Sequence, residues 1–245
     1  MKERESFSLL TTHSSLQTEK TAMTEIGEKI VKYGGELPQG VRLVAVSKFH
    51  PVEALREAYD AGQRIFGESR VQEIEVKHRE MPADVQWHFI GHLQTNKVRQ
   101  LVPYVTLIHS IDSQRLLECV DREARRIGRT VDVLLQLHVA QEATKFGLTP
   151  KECFALAESG TIERLANVRV CGVMGMATNT DDEAAIRREF RLIRHTFDEL
   201  RQEIFAGKAW FTEVSMGMSD DYRIAIEEGS TLVRIGTSIF GARSY

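Results

Sequence analysis

Apolar positions along the 245-residue chain switch period again and again. Short runs rich in β-branched residues predict strands at residues 43–47, 64–67, 87–90, 105–111, 131–139, 168–176, 210–214 and 232–235. Between them, apolar residues three and four apart predict helices at 52–61, 71–79, 96–101, 114–127, 150–158, 183–205 and 222–227. A further helix at 24–33 precedes the first strand, with Gly34-Gly35 and Pro38 expected to end it. The order is strand then helix throughout. Leu43-Val44-Ala45-Val46 and Val133-Leu134-Leu135 are unbroken apolar runs, as expected of parallel strands covered on both faces.

Helix starts carry cap signals. Thr180 with Glu183 reads as a capping box, Ser113 precedes Leu116 and Leu117, and Thr149 precedes Pro150 at the first helical position. Ser219 is followed by Asp220 and Asp221, expected in a first turn and pointing outward. Eight such units predict a (β/α)8 TIM barrel, a single domain over residues 23–245. Tyr245 follows the last strand too closely for a full eighth helix, so the helix at 24–33 is expected to take its place. The competing fold, an open doubly wound sheet, lacks support because no dinucleotide glycine fingerprint is present. Residues 1–22 show no sustained apolar period and are expected to form a disordered tail, with Met23 a candidate initiator.

Composition narrows the partners. Lys and Arg total 32 against 35 Asp and Glu, a net charge of −3, and no basic run offsets it. Nucleic acid is therefore not an expected partner. Three scattered cysteines, Cys119, Cys153 and Cys171, fit neither a disulfide framework nor a zinc site and suit a reducing cytoplasm. No apolar stretch has the roughly 18 residues of a membrane helix, so no membrane partner is expected. His88 and His92, read as sharing a face of one strand, would lie roughly 13 Å apart at about 3.3 Å per residue, too far to share one metal ion.

In a TIM barrel the site lies at the carboxyl ends of the strands. There the sequence places Lys48, Glu68-Ser69, His92, Ser110 and Asp112, His138, the stretch from Met174 to Thr178, the turn Ser215-Met216-Gly217-Met218-Ser219, and Gly236-Thr237-Ser238. A lysine partly desolvated at a barrel mouth is a nucleophile for carbonyls; the bland alternative is a stem covering apolar surface beneath a hydrated head. Small residues and hydroxyls after strands seven and eight suit a phosphate, although two ordinary turns would read alike. Arg234, inside the last strand, needs a partner if buried: a ligand acceptor, or Glu213 on the neighbouring strand. An aldehyde-reactive lysine, a phosphate cradle and an arginine together outline pyridoxal 5′-phosphate.

Five motifs in order carry a resemblance: Val44-Ala45-Val46-Ser47-Lys48; Gly67-Glu68 with Val71-Gln72-Glu73; Trp87-His88-Phe89-Ile90-Gly91-His92-Leu93-Gln94; Ser215-Met216-Gly217-Met218-Ser219-Asp220-Asp221; and the run from Val233 to Arg243. From about Val41 to Tyr245 the chain resembles the pyridoxal phosphate homeostasis proteins, the YggS-like family. The resemblance implies an alanine-racemase-type barrel that holds the cofactor as an internal aldimine on Lys48. It implies phosphate contacts from Ser215, Gly217, Met218 and Ser219 and from Gly236 and Thr237, with Arg234 facing the pyridine nitrogen and Met174 also in the site. An arginine there yields no proton readily, so the ring nitrogen would stay unprotonated and the cofactor would be a weaker electron sink. Many relatives carry Asn-Tyr where this chain has Ser69-Arg70, which puts a cofactor contact from that loop in doubt.

The expected function is intracellular pyridoxal phosphate homeostasis by a monomeric carrier with little or no catalysis, and cofactor-dependent apo-enzymes are candidate partners. An amino-acid racemase is the alternative. Racemases of this fold append a second domain that supplies a tyrosine base, for which this chain has no room, although His92 or His138 could substitute. A phosphosugar-binding barrel that leaves Lys48 unreacted is the third reading.

Overall fold

The computed structural model describes residues 23–140 and 146–242; the tail before Met23, and Arg243 of the last motif, lie outside them. Eight parallel strands close into a barrel in chain order: β1 Arg42–Val46, β2 Ile65–Glu68, β3 Gln86–Phe89, β4 Leu107–Ile111, β5 Val131–Gln136, β6 Val168–Met174, β7 Glu213–Ser215 and β8 Leu232–Ile235. β8 closes on β1 through Arg42↔Leu232 to Ala45↔Ile235. Around the sheet run α1 Glu25–Glu36, α2 Val52–Asp60, α3 Val71–Glu80, α4 Val98–Leu101, α5 Gln114–Arg126, α6 Pro150–Glu158, α7 Thr161–Arg164, α8 Glu183–Glu203, α9 Tyr222–Glu227 and α10 Thr237–Phe240.

Strand alternation sorts the core into two layers. Outward-facing Leu43, Ala45, Phe66, Trp87, Phe89, Ile108, Val133 and Val233 pack beneath the helices. Val44, Ile65, Leu107, Leu134, Met174 and Leu232 fill the barrel interior with Cys171. Each fully buried Leu or Ile contributes on the order of 1.5–3 kcal/mol from loss of water contact, so the outer layer supplies most of the stabilisation.

α1 takes the place expected of the missing helix, packing against β1, α2 and α10. Its far end is tied across by the Tyr222 hydroxyl, which donates to Glu36 Oε2 at 3.0 Å, and by an edge-on Tyr33–Tyr222 contact. Gly34 and Gly35 do not end it. The helix runs through both to Glu36 and stops where Pro38 keeps Leu37 extended (φ −76°, ψ 130°).

The caps at Ser113 and Thr149 form as expected; Thr149 accepts from Glu152 N–H, and Glu152 completes the box. Two others differ. Asp182, not Thr180, caps α8 by accepting from Ala184 and Ala185 N–H, while Thr180 only accepts from Asp182 N–H. Asp220 and Asp221 precede α9 and do not lie in its first turn.

Candidate functional site

Lys48 lies two residues beyond Val46, in phase with Val44 of the inner layer. The same phase carries Leu232 of β8 on to Arg234 and Gly236. Both series converge at the carboxyl end on a cavity of about 360 Å³, lined by Lys48, His50, Ile90, Met176, Met218, Ser219, Asp220, Arg234, Gly236, Thr237 and Ser238 with Val46. Of the residues expected in the site, the cavity thus gathers Lys48, Met218, Ser219, Arg234, Gly236 and Thr237.

Three expected residues sit elsewhere. Met174 is buried in the inner layer beneath the mouth, and Met176, two residues on, reaches the cavity instead. Ser215 is fully buried and touches Arg234 without lining the cavity. Gly217 lies behind the wall with φ +94°, where a Cβ would come within 2.6 Å of Ala225 Cβ. Only glycine fits that turn. Gly236 is constrained by proximity instead, since its Cβ would stand 3.0 Å from the Val46 carbonyl oxygen beside Lys48.

The turn of residues 215–219 is held from both sides. Arg234 N–H donates to Gly217 O at 3.0 Å, and Met216 N–H donates to Leu232 O at 3.2 Å. Asp221 does not point outward as expected: it is buried, its Oδ1 accepts the Met218 N–H, and burial pushes its carboxyl above the usual aspartate range. That N–H is therefore already engaged. Beyond β8, Gly236 caps α10, whose first-turn residues Thr237 and Ser238 stand at the cavity wall.

Arg234 is 5% exposed, and burial lowers its pKa to about 10. Glu213 is not its partner; that carboxylate pairs with Arg42 and accepts from the Thr231 hydroxyl. Arg234 instead donates from Nη1 to Ser215 Oγ at 2.6 Å and from Nη2 to Gly175 O at 3.0 Å. No carboxylate forms a salt bridge with the guanidinium among the described residues, although the buried Asp221 carboxylate acts on its charge and partly offsets the cost of burial.

A buried ionic cluster holds the lysine turn. Glu68, the last residue of β2 as expected, turns toward α3 and does not line the cavity. Lys77 Nζ donates to Glu68 Oε1 at 2.7 Å, Glu73 Oε2 at 2.9 Å and Ser47 O at 2.9 Å. Ser47 Oγ donates to Glu68 Oε1 at 2.6 Å, and Phe49 N–H donates to Glu73 Oε2 at 2.8 Å. Both neighbours of Lys48 are thereby anchored, and Phe49 is held at φ +68°, a conformation that a bulky side chain rarely adopts. Burial lifts Glu68 to about 7 despite Lys77. Glu73 falls below the usual range: its partial burial is outweighed by hydrogen bonds from Lys77 and Phe49.

The Ser69-Arg70 pair takes up other work. The Arg70 guanidinium lies 4.6 Å from the centre of the Phe49 ring, over the residue after Lys48. Ser69 packs so closely on Gly91 that a Cβ there would meet Ser69 O at 2.4 Å. Of the histidines, His92 is beyond the end of β3 and does not share a strand face with His88, as the sequence reading supposed. It pairs with Asp112 at 3.3 Å and stacks on Phe146. His138 bonds the Ala140 carbonyl. The histidine that does line the cavity, His50, was missed by the sequence reading; its only signal was its position two residues after Lys48.

This barrel, with a lysine just beyond β1 and an arginine in β8, is of the class defined by the alanine racemase N-terminal domain, whose family profile matches residues 26–244. A protein of Aquifex aeolicus named pyridoxal phosphate homeostasis protein is 40% identical over 219 residues, covering 89% of this chain and 94% of its own. The chain belongs to the pyridoxal phosphate homeostasis protein family. PipY of Synechococcus elongatus, solved with pyridoxal phosphate bound, superposes with TM-score 0.80 at 40% identity over 88% of this chain and 100% of its own. Alanine racemase of E. faecalis shares the fold at TM-score 0.67 and 16% identity, matched over 89% of this chain and 58% of the racemase.

Proposed function

We propose that this protein binds pyridoxal 5′-phosphate in the mouth cavity, linked through Lys48, and holds it for intracellular cofactor homeostasis. One observation carries the reading: Lys48, Arg234 and the Ser219/Gly236/Thr237/Ser238 wall meet in a single cavity whose volume of about 360 Å³ suits a small ligand. The residues fit the group. Lys48 offers an amine to an aldehyde, and the hydroxyls of Ser219, Thr237 and Ser238 with the α10 first turn offer donors to a phosphate. Arg234, a donor only, suits an unprotonated ring nitrogen. When bound, the cofactor supplies an electrophilic carbon and an electron-withdrawing ring.

The relatives' shared name and the cofactor bound in PipY support this reading. His92 and His138, the candidate second bases, do not line the cavity, whereas His50 does, so the racemase reading is decided by the chiral assay below. The protein acts in the cytoplasm as a monomer and supplies apo-enzymes with the cofactor. Among the described residues no helix is long and apolar enough to cross a membrane. The test is an absorption spectrum of the full chain with pyridoxal 5′-phosphate, followed by borohydride reduction and peptide mapping. Near-visible absorbance lost in Lys48→Ala supports the proposal, and unchanged absorbance overturns it. Chiral analysis after incubation with D- or L-alanine separates holder from racemase.

A further inference from the structure

A continuous chain of buried polar side chains crosses the barrel interior behind Arg234. From β8 it runs through Ser215 of β7 and His109 of β4 to His88 of β3. His109 Nδ1 lies 2.9 Å from Ser215 Oγ, and His109 Nε2 lies 3.0 Å from His88 Nδ1. Exposure is 0% for Ser215 and His109 and 2% for His88. At its far end His88 lines a second cavity of about 250 Å³ with Arg42, Asp132, Arg169 and Glu213. The two histidines thus occupy positions in the barrel interior where apolar residues would pack at no desolvation cost.

Donor and acceptor counting fixes the direction of the whole chain. Arginine only donates, so Nη1 spends a proton on Ser215 Oγ. The serine proton then has His109 Nδ1 as its partner, which requires Nδ1 to be bare. His109 therefore carries its proton on Nε2 and donates to His88 Nδ1. That atom must also be bare, which leaves the His88 proton on Nε2, the ring edge away from His109. In the reverse direction Ser215 Oγ would accept from both Arg234 and His109, leaving the proton of a fully buried hydroxyl with no acceptor among the described residues. Protonating either imidazole would set a second donor against a donor inside the barrel. Burial keeps both rings neutral, holding His88 at about 3 and His109 well below its usual value, with Arg42 acting on both and Arg234 also on His109.

We propose that His88 and His109 are positioning residues for Arg234: a neutral, tautomer-locked pair that aims the Ser215 hydroxyl and so fixes the guanidinium at the cavity. A chain that begins at an arginine is no proton conduit, so the device sets orientation alone. Arg234 N–H also donates to Gly217 O, so the same lock steadies the 215–219 turn. The inference rests on the proposed function only where it takes pyridoxal 5′-phosphate as the ligand that feels the orientation.

The decisive experiment needs no ligand. In the full-length protein labelled with 15N-histidine, long-range 1H–15N correlation should show both residues as neutral Nε2–H tautomers, unchanged between pH 5 and 8. An Nδ1–H tautomer or an imidazolium at either residue overturns the proposal. A second arm uses pyridoxal 5′-phosphate. Losing the hydrogen bond in His109→Phe should weaken binding roughly tenfold and shift the absorbance maximum. His109→Asn, whose carbonyl can take the serine proton near the Nδ1 position, should restore most of both. Equal behaviour of the two variants, both folded by circular dichroism, rejects the positioning role; should His109→Phe not fold, the tautomers decide. Failure to trap Lys48 in the wild type would remove the cofactor reading while leaving the tautomer result intact.

Discussion

Lys77→Met removes the cation shared by the buried Glu68 carboxylate and the half-buried Glu73 carboxylate. All three Nζ protons are in use, on Glu68, Glu73 and the Ser47 carbonyl. Breaking a buried pair by removing one partner typically costs about 3–5 kcal/mol, because the remaining charge is stranded. Here the cost depends on pH. Glu68 has its carboxyl raised to about 7, so its contribution to stability is fully present below the unfolded value near 4.5 and is lost as pH rises through 7. Lys77 opposes that rise, and without it Glu68 moves higher still, so the loss continues above pH 7. At pH 6 the variant should lose about 1–2 kcal/mol, the worth of the missing hydrogen bonds. At pH 8 the loss should reach about 3–5 kcal/mol. Urea unfolding followed by circular dichroism at the two pH values measures the difference, and Glu68→Gln/Lys77→Met should remove most of it. An equal destabilisation at pH 6 and pH 8, or one under about 1 kcal/mol at both, refutes the reasoning.

Acid stability follows from the barrel histidines. Both have depressed values, so their contribution is present above about 6.5 and is lost as pH falls, at about tenfold in the folding constant per pH unit for each residue. Glu68 opposes this between 4.5 and 7, so Glu68→Gln should lose stability more steeply than wild type between pH 6.5 and 5 in urea titrations. Gly217→Ala forces a Cβ against Ala225 at φ +94° and should cost at least about 1–3 kcal/mol in urea unfolding while weakening pyridoxal 5′-phosphate binding; wild-type stability would show that the turn is not constrained. Arg70→Ala should loosen the Phe49 ring with a cost of about 0.5–1 kcal/mol and leave the Lys48 attachment intact by peptide mapping.

Much of the fold was legible because each strand is a short apolar run and each helix a three-and-four pattern. The end of the first apolar run marks Lys48 as a residue of the barrel mouth, whereas the sequence leaves open whether Arg234 points inward or outward; the structure turns it to the cavity. What stayed hidden depended on distance in sequence. Lys77 four residues after Glu73 reads as an exposed helix pair; only the fold brings Glu68 from β2 beneath it. His88 and His109 stand 21 residues apart on adjacent strands, and neither sequence neighbourhood signals the other. Met174 fills the interior while Met176 reaches the cavity, a difference of two residues of depth that the sequence does not show. At Thr180 the capping pattern was satisfied on paper, but Asp182 stands nearer the helix start and offers a charged acceptor. Gly34 and Gly35 were read from propensity alone, which packing of α1 against its neighbours overrides.

The central claim concerns one amine. Borohydride reduction of the full-length protein saturated with pyridoxal 5′-phosphate, then digestion and mass spectrometry, should place a single stoichiometric phosphopyridoxyl group on Lys48. Label spread over surface lysines, fixed on another single lysine, or absent would contradict the account.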